Sequence, residues 1–175
     1  MKLIPLFCIV FLTSCAPSLK PALTDSRRAS LEVTLSKLDG SYSIYSLTRS
    51  TDRLDEILLF NIHRFKKAPD SSAHVVLKSV DDQHIRATLY YKDSIIKTRI
   101  LTGRIKGDYF EFTSRSIFHF WVVVNVIGVR NGRIGLLKGG DLITESMYKA
   151  FLCLIFVPVN GGDEHLLEQA FKRTD

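Results

Sequence analysis

His84-Ile85-Arg86-Ala87-Thr88-Leu89-Tyr90-Tyr91 alternates in character along its whole length. Ile85, Ala87, Leu89 and Tyr91 fall on one side of an extended chain, and His84, Arg86, Thr88 and Tyr90 on the other. A period of two marks a half-buried β-strand, because successive strand side chains point to opposite faces. Both neighbours of this stretch repeat the pattern. Upstream, His74 to Val80 reads as a strand turned by Asp81-Asp82. Downstream, Lys92-Asp93 makes a tight connection into Ser94 to Ile105, where Gly103 predicts a bulge or bend. Three strands joined by two-residue turns define an antiparallel meander, and the rest of the chain extends it.

Gly107-Asp108 turns into Tyr109-Phe110-Glu111-Phe112. Ile117 to Arg130 is strongly apolar, and Asn131-Gly132 is the strongest hairpin signal in the sequence, since both residues accept the positive φ of a type I′ turn. Arg133 to Lys138 returns, Gly139-Gly140-Asp141 turns again, and Leu142 to Ser146 runs on. Phe151 to Val157 reads as a buried strand ending at Pro158. His165 to Arg173 suits either a last strand or a short helix. Toward the N-terminus, Gly40 to Tyr45 is a strand introduced by Asp39-Gly40. Leu31 to Leu35 suits either a short strand or a helical turn.

One helix is expected, over about residues 52–66. Leu54, Ile57, Leu58, Asn61, Ile62 and Phe65 recur at i, i+3, i+4 spacing. Thr51 or Asp52 caps it, Asp55 and Glu56 suit its N-terminal dipole, Arg64, Lys66 and Lys67 its C-terminal end, and Pro69 stops it. Its apolar stripe suits a membrane surface or, as the better fit, the face of a sheet. The predicted fold is mainly β, an up-and-down antiparallel meander of roughly nine strands closing into a barrel or strongly curved sheet, with this amphipathic helix after the first strand.

The N-terminus carries a different signal. Lys2 precedes an apolar stretch from Leu3 to Leu12, and Leu12-Thr13-Ser14 leads into Cys15. About ten apolar residues are too few for a membrane-spanning helix, which needs roughly 20. The layout resembles the lipobox of bacterial lipoproteins. That resemblance implies a signal peptide over 1–14, a lipidated Cys15 (palmitate among its acyl chains) as the new N-terminus, and firm anchoring, since two or more acyl chains hold where one does not. An ordinary signal peptide cut near Ala16, or a chance apolar N-terminus, are the other readings. Ala16 rather than Asp after the cysteine implies outer-membrane sorting with the domain facing the periplasm. Residues 15–30, with Pro17 and Pro21, read as a tether, and residues 31–175 as one β-rich domain.

Over roughly residues 38–157 the Gly40-Ser41-Tyr42 start, the meander and the length resemble lipocalin-type barrels. Tyr42 stands where lipocalins usually carry Trp, and the helix lies between the first two strands, whereas the main helix of a lipocalin follows the barrel strands. The lipobox with Leu38-Asp39-Gly40-Ser41-Tyr42, a helix and a meander is also similar to small Bacteroidetes-type lipoproteins.

Composition narrows the partners. The chain has 175 residues and a formal net charge of +6, falling by one if Lys2 is removed with the signal. The basic residues are scattered, so nucleic acid is not an expected partner. The membrane, an apolar ligand or an envelope protein are. Of three cysteines, Cys8 lies in the signal stretch and Cys15 takes the lipid, leaving Cys153 in an apolar run, where a buried thiol is expected and no intramolecular disulfide can form. No phosphate loop, nucleophile elbow, His-Glu-x-x-His or Cys-x-x-Cys is present, so neither catalysis, cofactor nor metal is implied. His74 and His84 could approach across a hairpin, although a solvated pair is the better reading. The arguable ligand site is aromatic: Phe110, Phe112, Phe118, Phe120 and Trp121 either line a barrel cavity or fill it.

Overall fold

A computed structural model describes residues 34–49, 51–59, 72–120, 124–154, 157–159 and 163–175; over 116–120, 124–127, 151–154, 157–159 and 163–167 it describes the backbone alone. In chain order the elements are a 3-10 turn Leu35–Leu38, β1 Gly40–Ser46, α1 Leu54–Leu59, β2 Ala73–Asp81, β3 His84–Tyr91, β4 Ser94–Lys106, β5 Tyr109–Phe120, β6 Val124–Leu136, β7 Leu142–Leu154, β8 Val157–Val159 and β9 Asp163–Arg173. The predicted signal peptide, Cys15, the tether, the second half of the predicted helix and Trp121 lie outside the described residues.

From β1 to β7 each strand pairs antiparallel with the next. β9 then returns between β7 and β1, so eight antiparallel strands form a ring-like sheet. The short β8 pairs with the far end of β7. The mainly β, up-and-down fold read from the sequence is the one observed. Closure between β9 and β1 is irregular in register, and local hydrogen bonds reinforce it. Thr174 N donates to Ser41 O at 2.8 Å, Leu47 N to Ala170 O at 2.7 Å, and an Arg173 guanidinium N–H to Asp39 O at 2.8 Å.

The inner face follows the alternation that betrayed the strands. Tyr42 and Ile44 of β1, Val75 and Leu77 of β2, Ile85, Ala87 and Leu89 of β3, Leu101 of β4 and Phe110 and Phe112 of β5 are buried together. Beside the start of β1 the 3-10 turn adds Leu35 and Leu38, and the Tyr42 hydroxyl donates to Leu38 O at 3.1 Å. Beyond the end of β1, α1 packs against β1, β3 and β4 and buries Leu54, Ile57, Leu58 and Leu59. The helix therefore uses its apolar stripe on the sheet. Neither Thr51 nor Asp52 precedes its first turn directly: Ile57 N bonds Arg53 O, and Arg53 is the residue before the helix.

The structure departs from the sequence reading at four places. Asn131-Gly132 forms no turn; it lies inside β6, opposite Thr113 and Phe112 on one side and Met147 and Ser146 on the other. Neither residue has positive φ. Gly132 is required by packing, because the Phe112 ring lies where its Cβ would be, and Asn131 Oδ1 accepts a hydrogen bond from Thr113 Oγ1 at 2.8 Å. Gly103 makes no bulge. It pairs regularly with Phe112, and β5 backbone at Glu111 occupies the space a side chain would need. Phe151–Leu154 belongs to β7, and Pro158 sits within β8 rather than ending a strand. The ambiguous C-terminus is a strand; of the ambiguous stretch Leu31 to Leu35, residues 31–33 lie outside the described residues, and a 3-10 turn begins at its last residue and runs over Leu35–Leu38. The turn at Lys92-Asp93 is as expected, with φ of 48° and 61°, the left-handed pair that a tight β3–β4 connection requires.

Candidate functional site

Successive rows across the inner face change character from apolar to polar. Leu136, Leu142 and Phe171 stand opposite one another on β6, β7 and β9. The next row is Phe110, Ile134, Thr144 and Gln169, then Phe112, Gly132, Ser146 and Leu166, then Ser114, Arg130, Tyr148 and Glu164. Opposed residues on one face of antiparallel strands bring their Cβ atoms to about 4.5–5.5 Å, so each row is a set of neighbours. β4 carries two cations on the core face. Ala87 pairs with Arg99 and Leu89 with Lys97, which puts both cations on the side of the sheet that carries the core.

The belt is buried. Ser114, Thr144, Ser146 and Arg130 are 5%, 1%, 1% and 4% exposed. The hydroxyls of Ser114, Thr144 and Ser146 have no hydrogen-bond partner among the described residues. Each such hydroxyl costs about 1–3 kcal/mol if neither water, ligand nor protein satisfies it. Gln169, by contrast, accepts a hydrogen bond from the Ser46 hydroxyl at 2.8 Å.

Arg130 ties the belt to the helix. One guanidinium N–H donates to Glu56 O of α1, and the guanidinium carbon lies 5.3 Å from the centre of the Tyr148 ring. Arg99 donates to Arg115 O at 3.5 Å, beside Ser114. The two acids of the first helical turn face Arg53. Asp55, fully buried, takes bonds from the Arg53 guanidinium at 3.0 and 2.6 Å, and Glu56 lies 3.6 Å from it. Burial lowers the pKa of Arg99, as expected for a cation taken out of water.

Against protein-family models, curated proteins and solved structures the chain finds no match. Geometry and residue chemistry therefore carry the functional reading.

Of the predicted aromatic site, Phe110 and Phe112 face inward, pack in the core and stack with ring centres 6.5 Å apart. For Phe118 and Phe120 only the backbone, within β5, is described, and Trp121 lies outside the described residues. Cys153 stands opposite Asn125 and Pro158 in the register. The two histidines do not meet. His74 stacks on Tyr90 at 5.3 Å, one end of the β2–β3 hairpin, while His84 Nδ1 lies 2.7 Å from Asp81 at the other. Their separation follows from the register, which places His74 opposite Tyr90 and His84 opposite Asp81. On the outer face, Ser41, Ser43, Tyr45, His74 and Thr174 line a cleft of about 400 Å³. Its hydroxyls already satisfy one another or nearby backbone: Ser43 donates to Tyr45 O at 3.3 Å, and Thr174 and Ser41 bond at 3.0 Å.

The polar belt escaped the sequence reading. Its signature is a period of two, in Phe110-x-Phe112-x-Ser114, Arg130-x-Gly132-x-Ile134 and Thr144-x-Ser146-x-Tyr148. Placing a turn at Asn131-Gly132 cut the middle run in half.

Proposed function

We propose that this chain is an envelope lipoprotein, held to the outer membrane through lipidated Cys15, whose ring-like domain faces the periplasm and takes a largely apolar ligand into its interior. The observation that carries the binding role is the buried belt of unpartnered hydroxyls at Ser114, Thr144 and Ser146, set directly above an apolar inner face. A domain selected only for stability would replace such groups with apolar ones, which is close to neutral or stabilising. The lipobox at Leu12-Thr13-Ser14-Cys15 supports the anchor. No catalytic step is part of this reading.

Two measurements test the two halves. Metabolic labelling with palmitate should mark the wild-type protein and not Cys15→Ser; an unlabelled wild type refutes the anchor. Native mass spectrometry of protein purified from its own host should show a bound small molecule that denaturation releases. A protein that emerges empty, and that takes up no apolar probe afterwards, refutes the carrier role.

A further inference from the structure

The ring closes with surplus chain on one side of its seam. Between the pairs Tyr42–Arg173 and Ser46–Phe171, β1 sets Ser43, Ile44 and Tyr45 against Lys172 alone. Surplus residues of this kind bend a strand and re-aim its side chains. The outer-face cleft of about 400 Å³ lies on this stretch, and five of its lining side chains, Ser41, Ser43, Tyr45, Ser72 and Thr174, carry hydroxyls. The other polar group is the His74 imidazole, which the register sets between Ser43 and Tyr90. Tyr90 stacks on that ring at 5.3 Å with the two planes 6° apart, which fixes its orientation. The imidazole nitrogens have no hydrogen-bond partner among the described residues. The hydroxyls are held in place with capacity to spare. Ser43 Oγ donates to Tyr45 O and accepts from Tyr45 N, while Thr174 Oγ1 donates to Ser41 Oγ and leaves the Ser41 proton uncommitted among the described residues. No carboxylate, ammonium or guanidinium stands among the described lining residues.

We infer that this cleft is a second binding site, for a neutral saccharide, on the outside of the ring and independent of whatever the interior holds. A charged ligand would shed water there without meeting an opposite charge, a cost that a neutral one avoids. An apolar ligand would cover hydroxyls and an imidazole without satisfying them. A sugar ring carries neighbouring hydroxyls, each a donor and an acceptor at once. These match the Ser41 proton, the remaining lone pair of Ser43 and the one donor and one acceptor of a neutral His74. The C–H faces of the sugar suit the Tyr45 ring, a side chain apolar on its faces and polar at its tip. The cleft also has the volume of a small-molecule site. Tyr90 does not line it and is a positioning residue that acts by holding the imidazole.

Titration of the full chain, carrying isotope-labelled histidine, with cellobiose and with di-N-acetylchitobiose tests the inference by NMR. At least one of the two should shift the His74 ring resonances saturably, these being assigned by their loss in His74→Leu. A preference for the second sugar names an N-acetylated ligand. His74→Leu keeps bulk against Tyr90 but neither nitrogen, and should weaken binding by about tenfold, the effect of one to two neutral hydrogen bonds. His74→Gln offers a donor and an acceptor and should restore most of the affinity, a rescue that a purely structural role would not give. Ser41→Ala, at a surface position with little bearing on folding, should weaken binding several-fold. If neither sugar shifts the His74 resonances, or if His74→Leu and Ser41→Ala bind sugar like the wild type, the saccharide site is refuted. Either result leaves the interior-ligand reading where it stood.

Discussion

Replacing Gly132 with Ala should unsettle the core through a single neighbour. A Cβ built on Gly132 lies 2.7 and 3.0 Å from Cε1 and Cε2 of Phe112, with the ring tip closer still. Carbon atoms rest at about 3.5–4.0 Å, so the ring must retreat by roughly 1 Å. It has little room to do so, being 3% exposed and stacked on Phe110. Overpacking of this kind costs about 1–3 kcal/mol. The clashing atoms are all beyond Cδ of Phe112, and a leucine there has none of them. In the Phe112→Leu background, Gly132→Ala should therefore cost nothing, or stabilise by about 0.4–1 kcal/mol through the smaller entropy of the unfolded chain. Urea unfolding of wild type, both single variants and the double variant measures the coupling, expected at about 1–3 kcal/mol. Equal cost of Gly132→Ala in both backgrounds would refute the packing explanation of why Asn131-Gly132 is not a turn.

Three further expectations follow from other contacts. Burial pushes the Tyr42 hydroxyl up to about 12, against a smaller opposing pull from the Arg173 guanidinium. Its neutral form is thus favoured in the fold: that stability is complete below pH 10 and is lost as the pH rises toward 12, so Tyr42→Phe should flatten the alkaline limb of a stability curve; an unchanged limb counts against it. On the outer face, Arg133 and Glu145 form a pair at 5% and 12% exposure, with the guanidinium carbon 5.0 Å from the Tyr109 ring centre. Arg133→Met should cost about 3–5 kcal/mol by stranding the carboxylate, while Arg133→Met with Glu145→Leu should recover most of it in chemical denaturation. At the β3–β4 turn, Lys92→Asn with Asp93→Gly should raise the unfolding free energy by roughly 1 kcal/mol, because both positions hold left-handed φ that Asn and Gly adopt with less strain; a lower thermal midpoint would refute this.

What the sequence disclosed, and what it hid, divides along one physical line. β2, β3 and their turns were legible because Ile85, Ala87 and Leu89 face a core while Arg86 faces water, a local contrast. β6 was misread because the need for Gly132 comes from Phe112, twenty positions away along the chain and adjacent only after folding. The C-terminal strand was ambiguous for a related reason. Leu166, Leu167, Ala170 and Phe171 recur at spacings that suit a helix, and pairing with Leu142–Lys149 on one side and with Tyr42 and Ser46 on the other decides the matter. The belt of Ser114, Arg130, Thr144 and Ser146 is scattered over three strands and has no motif. Only the register of β5, β6 and β7 assembles it.

Closure of the ring also sets the order in which the domain can be completed. β1 pairs with β2, close by in the chain, but its other neighbour is β9, the last of the described strands. Asp39 and Arg173 meet across 134 positions of chain. Until β9 arrives, β1 presents an open edge and the interior lies exposed, the state most prone to pairing with a wrong strand. That closing contact spans 134 positions, and a pairing so distant forms late because loop closure has to come first. The last eleven residues of strand, rather than the well-formed β2–β3 hairpin, are then the step on which completion waits. Any truncation of them should leave a chain that has its meander and no closed interior.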